Sequence, residues 1–194
     1  MNIRPLLLGL PLLLTGCSTI SNFSWSSLSP FNWFGKSVQV SAKGVGGINA
    51  ETPMVETAIG EGLHNNYRMR SGMATSKGQI ISYYQAMRDS DVKLVISGEP
   101  KGYVQRVEVL DAKVATEWGS NLGTPFSDLF SKAYGACKLT EGDDAGHVEC
   151  VAPQSRHVSY IFNGKWAGPQ DIIPPDDTLQ GWTVSKIIWY AKAQ

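Results

Sequence analysis

The three cysteines of this 194-residue chain are its most reactive side chains, and their positions give them different work. Cys17 closes Leu14-Thr15-Gly16-Cys17 at the end of a leucine-rich run. Met1-Asn2-Ile3-Arg4 carries one positive charge, residues 5–14 are almost wholly apolar, and small residues precede the cysteine. That is the layout of an export signal, residues 1–16, cut before Cys17. The run is too short for a transmembrane helix, which takes ~20 apolar residues, and Pro5 and Pro11 weaken it further. An ordinary signal peptide followed by a chance cysteine is the other reading. Cys137 and Cys150 remain, and in an oxidising compartment they can pair. They flank a turn-rich dozen residues whose ends read as strands, so the bridge would close a hairpin and stabilise it by ~3 kcal/mol. A metal held by Cys137, His147, Glu149 and Cys150 is the alternative, but it lacks the close Cys spacing of zinc sites.

No other residues assemble a reactive set. His64, His147 and His157 fall on a helix end, a hairpin and a strand, with no spacing that would bring two to one metal. No Gly-x-Ser-x-Gly elbow occurs, and Gly44-Val45-Gly46-Gly47 completes neither phosphate-binding glycine pattern. Asp143-Asp144 and Asp176-Asp177 do not alternate oxygens as a calcium loop does, so they read as turn and cap residues. Arg68 and Arg70 share one face of a strand, where they meet solvent or an anionic headgroup. The expectation is no catalytic residue, no metal and no cofactor. Seventeen basic and 17 acidic side chains balance, and losing Arg4 with the signal leaves 16 against 17. Without a basic field, nucleic acid is excluded as a partner.

Positioning these residues requires one domain over 38–194, preceded by a lipid-proximal tether over 17–37. The tether is rich in serine and asparagine and carries Trp25, Trp33 and Phe34. Its aromatics suit either the headgroup level of a membrane or packing back onto the domain. Glycine and β-branched and aromatic residues favour strands, and the pattern predicts an α+β fold of antiparallel meanders with two Thr-Pro-capped helices. Residues 38–42 read as a strand. Thr52 caps and Pro53 opens a helix with Val55, Ala58, Ile59 and Leu63 on one face, ending near 64–66. Strands over 67–70, 79–87, 92–97 and 103–110 follow, with turns at Ser71-Gly72, Asp89-Ser90 and 98–102. The poor alternation of 80–84 suggests a strand covered on both faces.

The order then restarts. A strand over 113–118 and a glycine loop lead to Thr124-Pro125 and a second helix, with Phe126, Leu129, Phe130, Ala133 and Tyr134 on one face. The two Thr-Pro pairs lie 72 residues apart, which points to duplicated halves, 38–110 and 111–194. Strands over 135–139, 148–152 and 158–162 continue the second half. Asn163-Gly164 predicts a type I′ hairpin into Lys165-Trp166, then a loop over 169–179 and a closing strand over 182–190.

The residues before Cys17 resemble the lipobox of bacterial lipoproteins. That resemblance implies a diacylglycerol on the Cys17 thiol and a fatty acyl group such as palmitate on its new amine. Several chains hold firmly, at ~0.8 kcal/mol per buried methylene. Because Ser18 is not the aspartate of inner-membrane retention, it also implies the inner leaflet of the outer membrane, with the domain facing the periplasm. Further motifs extend the likeness: Gly44-Val45-Gly46, Tyr67-Arg68-Met69-Arg70-Ser71-Gly72-Met73, Gly123-Thr124-Pro125-Phe126-Ser127-Asp128-Leu129, Asp176-Asp177-Thr178-Leu179 and Val184-Ser185-Lys186-Ile187-Ile188-Trp189. With the Cys137/Cys150 pair, they make the chain similar to the sigma-E-regulated outer-membrane lipoproteins of enterobacteria, a domain of unknown function. The resemblance implies an envelope-stress setting and supplies no catalytic residue or ligand. The leading expectation is a non-enzymatic lipoprotein that binds outer-membrane lipid through acylated Cys17 and an envelope protein through its body, with Trp25, Trp33, Phe34, Arg68 and Arg70 as contacts. The alternatives are a small hydrolase with its site in the 169–179 loop near Arg68 and Arg70, or a carrier of a hydrophobic ligand between two half-sheets.

Overall fold

The computed structural model describes residues 37–76 and 78–194. The signal, Cys17 and the tether with Trp25, Trp33 and Phe34 lie outside them. Two short strands, β1 (Val40–Ser41) and β2 (Gly44–Val45), pair as a small ribbon. Helix α1 (Glu56–Gly62) leads into β3 (Arg68–Ser76), β4 (Gln79–Arg88), β5 (Asp91–Gly98) and β6 (Val104–Val109). A single turn α2 (Phe126–Leu129) then precedes β7 (Cys137–Leu139), β8 (Val148–Val151) and β9 (Val158–Asn163). The chain ends with the turn α3 (Asp176–Leu179) and β10 (Thr183–Tyr190).

Strands β3 to β10 form one antiparallel sheet in the order β3-β4-β5-β6-β10-β9-β8-β7. Each half is a four-stranded meander, as expected of breaks too short for parallel crossovers, and the last strands of the two meanders join them. Val107 pairs with Trp189 and Val109 with Ile187, so Glu108 and Ile188 face each other at the centre of the seam. The two Thr-Pro segments occupy matching places. Val104 donates to the Thr52 carbonyl and Met54 to Gly102, each at 2.9 Å; Val184 donates to the Thr124 carbonyl and Phe126 to Trp182, again at 2.9 Å.

The fold is therefore dominated by antiparallel sheet, with few and short helices, and the Thr-Pro pairs do not cap them. The residues preceding α1 and α2 are Val55 and Pro125, and neither helix has a side-chain cap. Thr52 and Thr124 instead accept the backbone N–H of Asn49 and Asn121, at 2.9 and 3.0 Å, and donate to those side chains. The prolines are held extended by bridges to Tyr103 and Thr183, and local propensity yields to sheet pairing. Ile59 and Leu63 are buried as expected, but Val55 lies before the helix and is 45% exposed. Phe126, Phe130 and Ala133 reach the core although the chain turns extended at Phe130, and Tyr134 points out at 97% exposure.

Three other expectations give way. Ser71-Gly72 lies mid-strand, where Gly72 admits the Tyr83 phenol: a Cβ there would stand 2.3 Å from its oxygen. Residues 80–84 are not covered on both faces; 79–81 pair only with β3, past the end of β5, as a projecting arm with Ile80 exposed. Segment 113–118 is no strand and contributes a single parallel bridge, Thr116 to Val40. The core lies on one face of the sheet, under β1, β2 and α1 and around the rings of Phe126, Phe130, Tyr160 and Phe162.

Candidate functional site

Alternation along the central strands sends one set of side chains to the core and the other to the opposite face. On that face Arg106 and Glu108 of β6, Lys186, Ile188 and Tyr190 of β10, Ile161 of β9, Glu149 of β8 and Lys138 of β7 come together. A shift of register between Val184 and Lys186 re-aims Lys186 among them. Of these, Arg106, Lys138, Glu149 and Tyr190 line a cleft of about 580 Å³ floored by Ile161 and Ile188, and Glu108 and Lys186 lie beside it. Ser76 at the end of β3, Asp144 of a 3-10 turn (Gly142–Asp144), and Leu139, Thr140, Glu141 and Gln194 complete its lining.

Every carboxylate oxygen of Glu108, Asp144 and Glu149 is occupied. Lys186 Nζ lies 2.8 Å from Glu108 Oε2 and 2.8 and 3.0 Å from the two Asp144 oxygens. Arg106 meets Glu108 Oε1 at 2.5 Å and sits over the Tyr190 ring. Glu149 takes the Tyr190 hydroxyl on one oxygen at 2.8 Å and Lys138 on the other at 3.3 Å. Burial alone would lower the Lys186 ammonium, but Asp144 and Glu108 outweigh it and hold its pKa above the ordinary 10.5. Burial, joined by the negative charge of Glu149, pushes the Tyr190 phenol far above its ordinary 10.0 against the pull of Arg106. Tyr190 thus stays a donor.

Cys137 and Cys150 are joined, facing each other across β7 and β8 with Cα atoms 4.0 Å apart, so both sulfurs are spent in the bridge. Glu149 points away from them, toward the cleft. His157 Nδ1 bonds the Tyr190 carbonyl at 2.8 Å, and His147 Nδ1 lies 3.9 Å from Asp144 Oδ1. Contrary to expectation, Asp176 caps no local turn; it accepts the Ala133 N–H at 2.8 Å, a link across 43 residues of chain.

Arg68 and Arg70 stand exposed on the edge strand β3, and Arg70 Nε holds Gln85 at 2.8 Å. Three strands separate that edge from β10, so they do not meet the 169–179 loop. The Asn163-Gly164 turn does not form: β9 ends at Asn163 and a long loop leads to α3. Gly164 is required for space rather than for a left-handed turn, since a Cβ would stand 2.2 Å from the Trp182 ring.

Spacing in the sequence contains the cluster only as an alternation, Arg106-Val107-Glu108-Val109 and Lys186-Ile187-Ile188-Trp189-Tyr190. That signal reads as an ordinary solvated face until the strand order brings the two segments side by side.

Comparison places this architecture among known proteins. The chain is similar to the uncharacterized protein YfeY of Escherichia coli (strain K12), 48% identical over 188 residues, covering 97% of this chain and 98% of that protein. The crystal structure of the uncharacterized protein yfeY from Escherichia coli superposes with a TM-score of 0.72 at 45% identity, covering 78% of this chain and 99% of that one. Residues 22–191 match the family described as protein of unknown function (DUF1131), and the chain belongs to that family.

Proposed function

We propose that this protein is an outer-membrane lipoprotein, anchored through acylated Cys17 in the inner leaflet, whose periplasm-facing body serves the envelope under stress by binding rather than by catalysis. The observation that carries the binding reading is the pairing of the three carboxylates in and beside the cleft, while a fourth, Glu141, stands exposed on its rim. Lys186, Arg106, Lys138 and Tyr190 together engage every oxygen of Glu108, Asp144 and Glu149. A general acid or base must exchange its proton near working pH, whereas Lys186 and Tyr190 are both held more firmly protonated than usual. What the cleft offers is a fixed pattern of alternating charge over an apolar floor, which suits recognition of a complementary protein surface. The hairpin disulfide agrees with an oxidising compartment, and the leader agrees with lipidation.

A deletion strain complemented in turn with the intact chain, Cys17→Ser and Lys186→Ala tests the reading. Under detergent and misfolded-porin stress, only the intact chain should restore survival and quiet the stress reporter. Equal survival of the deletion and its parent would sink the role. Globomycin, which blocks lipoprotein signal peptidase, should accumulate the uncut precursor, and its absence would sink the anchor.

A further inference from the structure

A second groove, which shares Leu139 of β7 with the charged cleft, is built differently. It encloses about 250 Å³ and is walled by Leu139, His147, Trp166, Gln170, Ile172 and Pro174, with Gly146 and Gly164 among its backbone. Not one Lys, Arg, Asp or Glu lines it. We infer that this groove binds an uncharged sugar ring, with the Trp166 indole as its platform.

The platform is fixed before any ligand arrives. Trp166 Nε1 donates to the Pro169 carbonyl at 2.9 Å, and Gly168 presses against the benzo ring so closely that a Cβ would stand 2.0 Å from Cζ2. The same device recurs at Gly164, which lies against the Trp182 ring. Two glycines in a five-residue stretch are thus needed for close contact with two tryptophans, neither of them at positive φ. An indole immobilised in this way binds without the ordering cost that a free side chain would add.

The chemistry of the walls selects the occupant. An anion would need a cation and a cation a carboxylate, and the groove lines itself with neither. A lipid tail would leave the Gln170 amide and the His147 ring without partners. A sugar ring offers what remains: an apolar face of C–H groups to lie on the indole, and a rim of hydroxyls that both donate and accept. His147 lines the wall, its buried Nδ1 3.9 Å from Asp144 Oδ1 and without a hydrogen bond. The volume falls below the roughly 300–1,000 Å³ of sites for drug-sized ligands, so one ring of a longer glycan fits at a time. This site adjoins the charged cleft through Leu139 but does not depend on the anchoring reading.

Calorimetric titration of the full chain in a detergent without a sugar headgroup, with chitotetraose and with maltotetraose, decides it. At least one glycan should bind saturably. Trp166→Ala and Gly168→Ala should each weaken that binding tenfold or more, Gln170→Ala several-fold, and Tyr134→Ala not at all. Circular dichroism checks each fold, and if Trp166→Ala fails to fold, Gln170→Ala carries the test. No saturable heat with either glycan overturns the inference. So does binding that ignores all three groove substitutions, or a proline-rich peptide that binds at Trp166 where the glycans do not.

Discussion

Lys186 keeps only 15% of its side chain exposed while serving two carboxylates. Removing it leaves Glu108 and Asp144 half-buried with their shared cation gone. Breaking a fully buried pair costs about 3–5 kcal/mol, and partial exposure brings Lys186→Ala to about 2 kcal/mol; urea melts measure it. Tyr190→Phe removes one hydrogen bond to Glu149 and should cost about 1–2 kcal/mol. Both groups also set an alkaline limit. Their folded pKa values lie above the ordinary 10.5 and 10.0, so the stability they lend is complete below those values and is lost as pH climbs through the folded ones. Urea midpoints should hold from neutral pH to about 10 and then fall, and the fall should be shallower in Lys186→Met and Tyr190→Phe.

The hairpin of β7 and β8 is the element most dependent on a single bond. β7 is a three-residue edge strand paired on one side only, too little ladder to hold itself in place. Its disulfide closes a span of 13 residues, for which the chain-entropy account gives about 3 kcal/mol. Reduction, or replacement of both cysteines by serine, should lower stability by that amount and raise hydrogen exchange first at 137–139. The two Asn-x-x-Thr-Pro turns invite a paired measurement, because their hydrogen bonds match in partners. Thr52→Ala and Thr124→Ala should each cost about 1 kcal/mol, with the two values agreeing. Sequence reasoning found the equivalence of these turns and mistook their purpose. A Thr-Pro pair before an apolar helical stripe is a start signal by every local rule, and only the strands arriving 50 to 60 residues later show that the pair is being drawn into a bridge.

At the scale of the whole molecule, seven of the eight main-sheet strands were legible to within two residues, because alternation and turn residues are local properties. β3 was cut short at Gly72, whose contact with Tyr83 has no local signature. The pairing of β6 with β10 was not legible, since no turn joins them, and so the charged cleft that straddles this seam was missed. The disulfide was legible from cysteine count alone. The seam also governs folding: β6 contributes Val104, Val107 and Val109 to the core, all nearly inaccessible. A fragment spanning 38–110 would uncover them along an open edge, and it should show no cooperative thermal transition by calorimetry.

The centre of that seam has one more consequence. Were the two meanders separate identical chains related by a true dyad, whatever residue stood at the axis would confront its own copy across some five ångströms. A glutamate there would oppose a glutamate. Linked in one polypeptide, position 108 is free to carry an acid while its counterpart 188 carries isoleucine, and a polar centre becomes tolerable where mirrored symmetry would have demanded grease.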